Sequence, residues 1–90
     1  MVTAYVLINC DLDMKSEVMK ELSQLPGILE LVELDAAYDI LLKLEQETVE
    51  ELKETIKQQL RKVLHIRNTI VLVAIEGKGS SAEQEWWYFF

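Results

Sequence analysis

Three runs of this chain are apolar at consecutive positions: Tyr5-Val6-Leu7-Ile8, Ile40-Leu41-Leu42 and Ile70-Val71-Leu72-Val73-Ala74-Ile75. A strand with helices on one face and water on the other alternates apolar with polar residues. These runs do not alternate, so a sheet built from them carries aliphatic side chains on both faces. Leaving roughly six to eight such side chains in water would forgo about 1.5–3 kcal/mol each. The patch would also exceed what soluble monomers expose. At 90 residues the chain is one small domain that buries a modest share of its surface when it folds alone. A second subunit, packed sheet against sheet, is the simplest cover. The expected contact residues are Tyr5, Leu7, Leu42, Val71 and Val73.

The elements follow from periodicity. Thr3 to Cys10 (TAYVLINC) reads as a strand that stops at Asp11-Leu12-Asp13, where short acidic side chains favour a turn or helix cap. Met14, Val18, Leu22 and Leu25 recur at helical spacing, and Pro26-Gly27 ends that helix. Ile28–Asp35 and Tyr38–Glu45 read as two strands joined by Ala36-Ala37, a connection of hairpin length. Thr48-Val49-Glu50-Glu51 is a capping box opening a second helix, whose apolar face is Val49, Leu52, Ile56, Leu60 and Val63 and which runs to about Leu64. Arg67 to Ile75 is the last strand. The order βαββαβ predicts an α+β, ferredoxin-like fold, a four-stranded antiparallel sheet with two helices on one face. The folded domain spans residues 1–76, and residues 77–90 form a tail.

Several function classes are excluded by composition. The net charge of −7, with no Lys/Arg-rich run, argues against direct nucleic-acid binding. The chain has no long apolar span for a membrane. One cysteine, Cys10, rules out an intrachain disulfide and, with no apolar leader, points to a reducing cytoplasm. Catalysis needs a nucleophile with a base, or a metal constellation, and the chain offers one His and one Cys. His65, at the end of the second helix, is expected to favour the helix dipole, and Cys10 to be a small buried hydrophobe. No catalytic residue, metal site or cofactor is assigned. Asp35-Ala36-Ala37-Tyr38-Asp39 gathers an aromatic and two carboxylates at one end of the sheet, and Asn68 and Thr69 open the final strand with further polar groups. On composition alone, turn-stabilising acids and a core tyrosine outweigh a ligand site about two to one.

The stretch LVELDAAYDILLKLE, followed by a capped helix and VLHIRNTIVLVAI, resembles the C-terminal ligand-binding domain of Lrp/AsnC-type transcription regulators. The match covers about residues 3 to 76, with the Tyr38-Asp39 pair in register. The resemblance implies a dimeric α+β barrel, with dimers assembling into closed rings, commonly octamers. It also implies a small effector, typically an amino acid, bound between dimers. Carried onto this chain, the effector residues are Ala36, Ala37, Tyr38 and Asp39 in the hairpin, with Asn68 and Thr69 in the second segment. Ala36 stands where the family usually has glycine, Leu64-His65 where Pro-Gly is common and Val71 where a second threonine is common. The chain is expected to be a stand-alone form without the helix-turn-helix. It would sense an amino acid and modulate transcription indirectly, or co-assemble with a full-length regulator. The competing readings are a ligand-free assembly partner, a small enzyme of the dimeric α+β barrel class and an ACT-like amino-acid-binding module.

The last five residues, Trp86, Trp87, Tyr88, Phe89 and Phe90, fall outside that resemblance. Tryptophan and tyrosine are favoured anchors of interfaces, so Trp86 and Trp87 are expected to dock on a neighbouring subunit, against the alternative of a non-native extension.

Overall fold

A computed structural model describes residues 2–75 and 84–89 of the chain. Strand β1 (Val2–Cys10) leads through a 3-10 turn (Leu12–Met14) into helix α1 (Lys15–Leu22), then strands β2 (Ile28–Glu33) and β3 (Ile40–Gln46). Helix α2 (Val49–Thr55) widens into a π-type turn over Ile56–Leu60 and is followed by strands β4 (Ile66–Ile75) and β5 (Gln84–Phe89). The sheet is antiparallel in the order β2-β3-β1-β4-β5. Its first four strands are the expected ferredoxin-like arrangement, and β5 is an addition. The tail was expected to dock on a neighbour; its residues 84–89 instead pair with β4 of the same chain, from Ala74 opposite Gln84 to Thr69 opposite Phe89. Residues 76–83 and Phe90, also assigned to the tail, lie outside the described residues.

The helices cover one face of the sheet. Ala4, Val6 and Ile8 of β1, Ile40, Leu42 and Leu44 of β3, and Val71 and Val73 of β4 are buried there. They form one core with Val18 and Leu22 of α1 and Leu25 after it, and with Leu52 of α2 and Ile56, Leu60 and Val63 after it. The predicted apolar faces of both helices thus point inward. The cap of α2 is made as expected on its hydroxyl side, with Glu51 N–H donating to Thr48 Oγ1 at 3.1 Å.

Two expectations are corrected by the strand register. Leu42, Val71 and Val73 belong to the helix-covered core, so the face turned away from the helices does not present them. That open face is built from the alternate positions: Tyr5 and Leu7, as expected, with Leu41, Ile70 and Leu72. Consecutive apolar residues carry no alternation, and a one-residue change of parity moves a whole set of side chains to the other face. The second correction concerns the hairpin. β2 ends at Glu33 and β3 begins at Ile40, so the connection is residues 34–39 rather than Ala36-Ala37 alone. The loop is tied by Leu34 N–H to Asp39 O at 2.8 Å and by Asp39 N–H to Ile8 O at 2.9 Å. Asp39 is thereby drawn to β1, and the hairpin must open to let it reach.

Candidate functional site

The end of the sheet where β1 finishes and β4 begins gathers a set of polar side chains. The β1–β4 register slips between Asn9 and Cys10, so β1 bulges where it leaves the sheet. A bulge re-aims the side chains beside it. Beyond the slip, Asn9, Cys10, Asp11, Leu12, Asp13, Asp39, Arg67 and Asn68 line an open recess of about 710 Å³.

Four contacts shape it. Asp39 Oδ2 accepts the backbone N–H of Cys10 at 3.0 Å, which satisfies a donor that the slip in register would otherwise strand. Asn9 Nδ2 donates to Asn68 Oδ1 at 3.2 Å across the two central strands. Arg67 Nε donates to Asp11 Oδ1 at 2.6 Å, while His65 Nδ1 lies 3.4 Å from Asp11 Oδ2. Asp11 opens the 3-10 turn, but its side chain caps nothing. It was expected to favour a turn or cap, and Arg67 claims the carboxylate instead.

The electrostatics follow. The hydrogen bond from Arg67 holds the Asp11 carboxyl below the usual carboxylate range, with His65 acting in the same direction against some desolvation. The same bond raises the Arg67 guanidinium further above its ordinary value. Burial, and then the neighbouring Asp39 carboxylate, push the Cys10 thiol up, with Lys15 opposing. A thiol held protonated is a poor nucleophile, in keeping with a buried structural cysteine. Among the described residues no group of three His, Cys, Asp or Glu side chains could hold a metal ion, and no helix is long and apolar enough to cross a membrane.

Of the six residues expected to bind an effector, two reach this recess: Asp39 and Asn68. Ala36 and Ala37 sit exposed at the tip of the 34–39 loop and Tyr38 is half-buried, none of them lining the recess. Thr69 is 2% exposed, opposite Ile8 on the helix-covered face, so it belongs to the core rather than to an open cleft. Asn9, Asp11, Asp13 and Arg67 line the recess without having been expected there. The signal for the first two was the polar break after an apolar strand, and for Arg67 its place beside Asn68.

The recess carries groups of both charges. Arg67 offers a cation, the two asparagines offer amide donors and acceptors, and only one oxygen of Asp39 is taken by the Cys10 N–H.

Known proteins share both sequence and fold with this chain. A family model described as the Lrp/AsnC ligand binding domain matches residues 3–81. An uncharacterised helix-turn-helix-type transcriptional regulator of Pyrococcus furiosus is 31% identical over 75 residues, which are 80% of this chain and 50% of that protein. The chain spans about half the length of the curated relatives it matches. Among solved structures, a hypothetical protein of Pyrococcus horikoshii superposes with a TM-score of 0.80 at 29% identity, covering 92% of this chain and 100% of that one. The AsnC structure from E. coli gives 0.77 at 15% identity, covering 89% of this chain and 54% of that one, a likeness of fold.

Proposed function

Because the chain belongs to the Lrp/AsnC ligand-binding-domain family, whose matched relatives are transcriptional regulators rather than enzymes, we propose that it is an effector-sensing and assembly module. In this reading a free amino acid, or a similar small zwitterion, enters the recess between β1, β4 and the 34–39 loop. Its carboxylate meets Arg67 and the Asn68 amide, and its ammonium meets the second oxygen of Asp39; charge-assisted bonds of this kind are the strong ones. The subunits pair by their open sheet faces, and the dimers assemble into a ring in the cytoplasm. Transcription is modulated through a full-length regulator with which the module co-assembles.

The observation that carries this reading is the double engagement of Asp39. Its backbone N–H and one carboxylate oxygen tie the hairpin to the end of β1, so a ligand bound to the other oxygen acts on both elements at once. Occupancy is then felt at the sheet's end, where a neighbouring subunit would sense it.

The test is a thermal melt and native mass of the full chain with each of the twenty common amino acids. A ligand that binds the folded form at a hundredfold above its Kd adds about 2.7 kcal/mol, several degrees for a chain of this size. One or a few amino acids should raise Tm or change the native mass, and Asp39→Asn should abolish the response. A chain indifferent to all of them supports the second reading, a ligand-free assembly partner. That reading is favoured by the internal pairing of Asp11 with Arg67, which leaves the guanidinium less available.

A further inference from the structure

The Asp11 carboxylate has partners on two sides. Its Oδ1 accepts from Arg67 Nε at 2.6 Å, and its Oδ2 lies 3.4 Å from His65 Nδ1. The first contact is a short charge-assisted bond. The second is longer than a good hydrogen bond and tightens if the carboxylate turns toward the ring. The main chain beneath is fixed, because the Asp11 N–H donates to His65 O at 2.9 Å and the Asp11 carbonyl accepts the Met14 N–H at 3.0 Å. Only the side chain is left to move, and it has one strong partner and one in reserve.

The reserve partner is kept against a backbone preference. His65, at φ 74, is the one residue other than glycine with a positive φ among the described residues. A Cβ makes that conformation unfavourable, and glycine would meet the demand of the turn without strain. Strained residues of this kind gather at ligand clamps and switch regions. What the imidazole reaches from this position is the Asp11 carboxylate. Arg67, for its part, engages Asp11 through Nε alone; its side chain is exposed, and its terminal nitrogens make no hydrogen bond among the described residues.

Resting on the reading that an effector's carboxylate meets Arg67, we infer that Asp11 is an internal occupant of that cation and that binding is an exchange. The incoming carboxylate takes the guanidinium, and the Asp11 side chain passes to His65. Each charge has a partner before and after: Asp11 neutralises Arg67 in the free protein, the ligand does so in the bound one, and an imidazole N–H receives the displaced oxygen. The recess also holds Asp13 and Asp39, so a ligand carboxylate added beside an unmoved Asp11 would face three like charges. Turning Asp11 away relieves the nearest of them. The contact is thus autoinhibitory. It lowers the affinity for every carboxylate, and a ligand without one cannot make the exchange.

Acetate, the simplest probe of that chemistry, is added to the full chain at neutral pH and constant ionic strength and followed by nuclear magnetic resonance. The chain has one histidine and two arginines, so the imidazole signals and the Arg67 Nε–H signal can each be tracked. In the wild type both should move with a common midpoint, because the carboxylate that leaves Arg67 arrives at His65. Asp11→Asn, which keeps the shape and removes the charge, should lower the acetate midpoint at Arg67 by about fivefold or more. Asp13→Asn removes an equal charge that makes no bond to Arg67, and should lower it by less than about twofold. If Asp11→Asn gains no more than Asp13→Asn, or if His65 stays still while Arg67 moves, acetate binds beside Asp11 without replacing it. The inference is then overturned, with the reading of Arg67 as a carboxylate site intact. An Arg67 signal indifferent to acetate in both the wild type and Asp11→Asn overturns the two together. Should Asp11→Asn fail to fold, the wild type decides alone, by whether His65 follows Arg67.

Discussion

The two helices hand the chain back to the sheet in the same way and for different reasons. After α1, Gly27 has φ 80, and its carbonyl accepts the N–H of Glu45 at 2.9 Å. After α2, His65 has φ 74, and its carbonyl accepts the N–H of Asp11 at 2.9 Å. Both turns need a left-handed residue whose carbonyl meets a neighbouring strand. At the first, a Cβ would lie 2.5 Å from Glu45 O, a backbone atom that cannot swing aside, so space permits glycine alone. At the second a side chain is present, and it reaches Asp11. Steric closure decides the first residue, and chemistry the second, despite the strain that a left-handed non-glycine residue carries.

The comparison breaks most visibly at Gly27. Gly27→Ala adds left-handed strand-entry strain and a backbone clash, and should cost about 3 kcal/mol or more, read as a loss of soluble folded protein or a large fall in urea midpoint. Next comes Asp39, which fastens the loop between the two turns. Asp39→Ala strands the Cys10 N–H and should cost about 1–3 kcal/mol, seen as a lower urea midpoint and faster amide exchange at Cys10. His65→Gly is the sharper probe, since it imposes the first turn's solution on the second. Relief of about 1–2 kcal/mol of strain is offset by about 0.5–1 kcal/mol for the looser unfolded chain and by the lost Asp11 contact. The net change should stay within about 1 kcal/mol, far from the effect of Gly27→Ala.

The smallest effect is one of pH. Asp11 titrates below its ordinary value of 3.8 in the folded chain, so its contribution is complete above that value and is lost as pH falls through the lower folded one. Asp11→Asn should therefore flatten the acid limb of a plot of Tm against pH below about pH 4 and leave its shape near pH 7 unchanged. An unaltered acid limb would mean that the Arg67 pair contributes nothing in solution.

Much of the fold was legible because its signals are local. The apolar faces of both helices, the Thr48 cap and the stop at Pro26-Gly27 each sit within a few residues of what they specify. The parity of the central strands was not legible. Where Val71, Leu72 and Val73 are all aliphatic, nothing in the pattern says which of them the helices cover, and Val71 and Val73 were placed on the wrong face with Leu42. The strand reading through Leu34 and Asp35 failed for a related reason: alternation continues past Glu33, while β2 ends because Asp39 is held by β1. The candidate site depended on distance. Asp39 and Asn68 were named through the family resemblance, but the bond between Asp11 and Arg67 joins residues 56 apart, and no local spacing encodes it.

With β5 laid along β4, the two edges of the sheet among the described residues are β5 and, on the other flank, β2, whose outer side has no partner strand. An unpaired strand is a template on which further chains can grow as fibrils. This one carries Glu30 and Glu33, each within ion-pair distance of a lysine, and its register is broken between Ile28 and Glu30. Like charges stacked at every repeat and an irregular edge both frustrate end-to-end growth. The protection rests on the charge of two side chains, so Glu30→Gln with Glu33→Gln should turn this edge from a barrier into a seed.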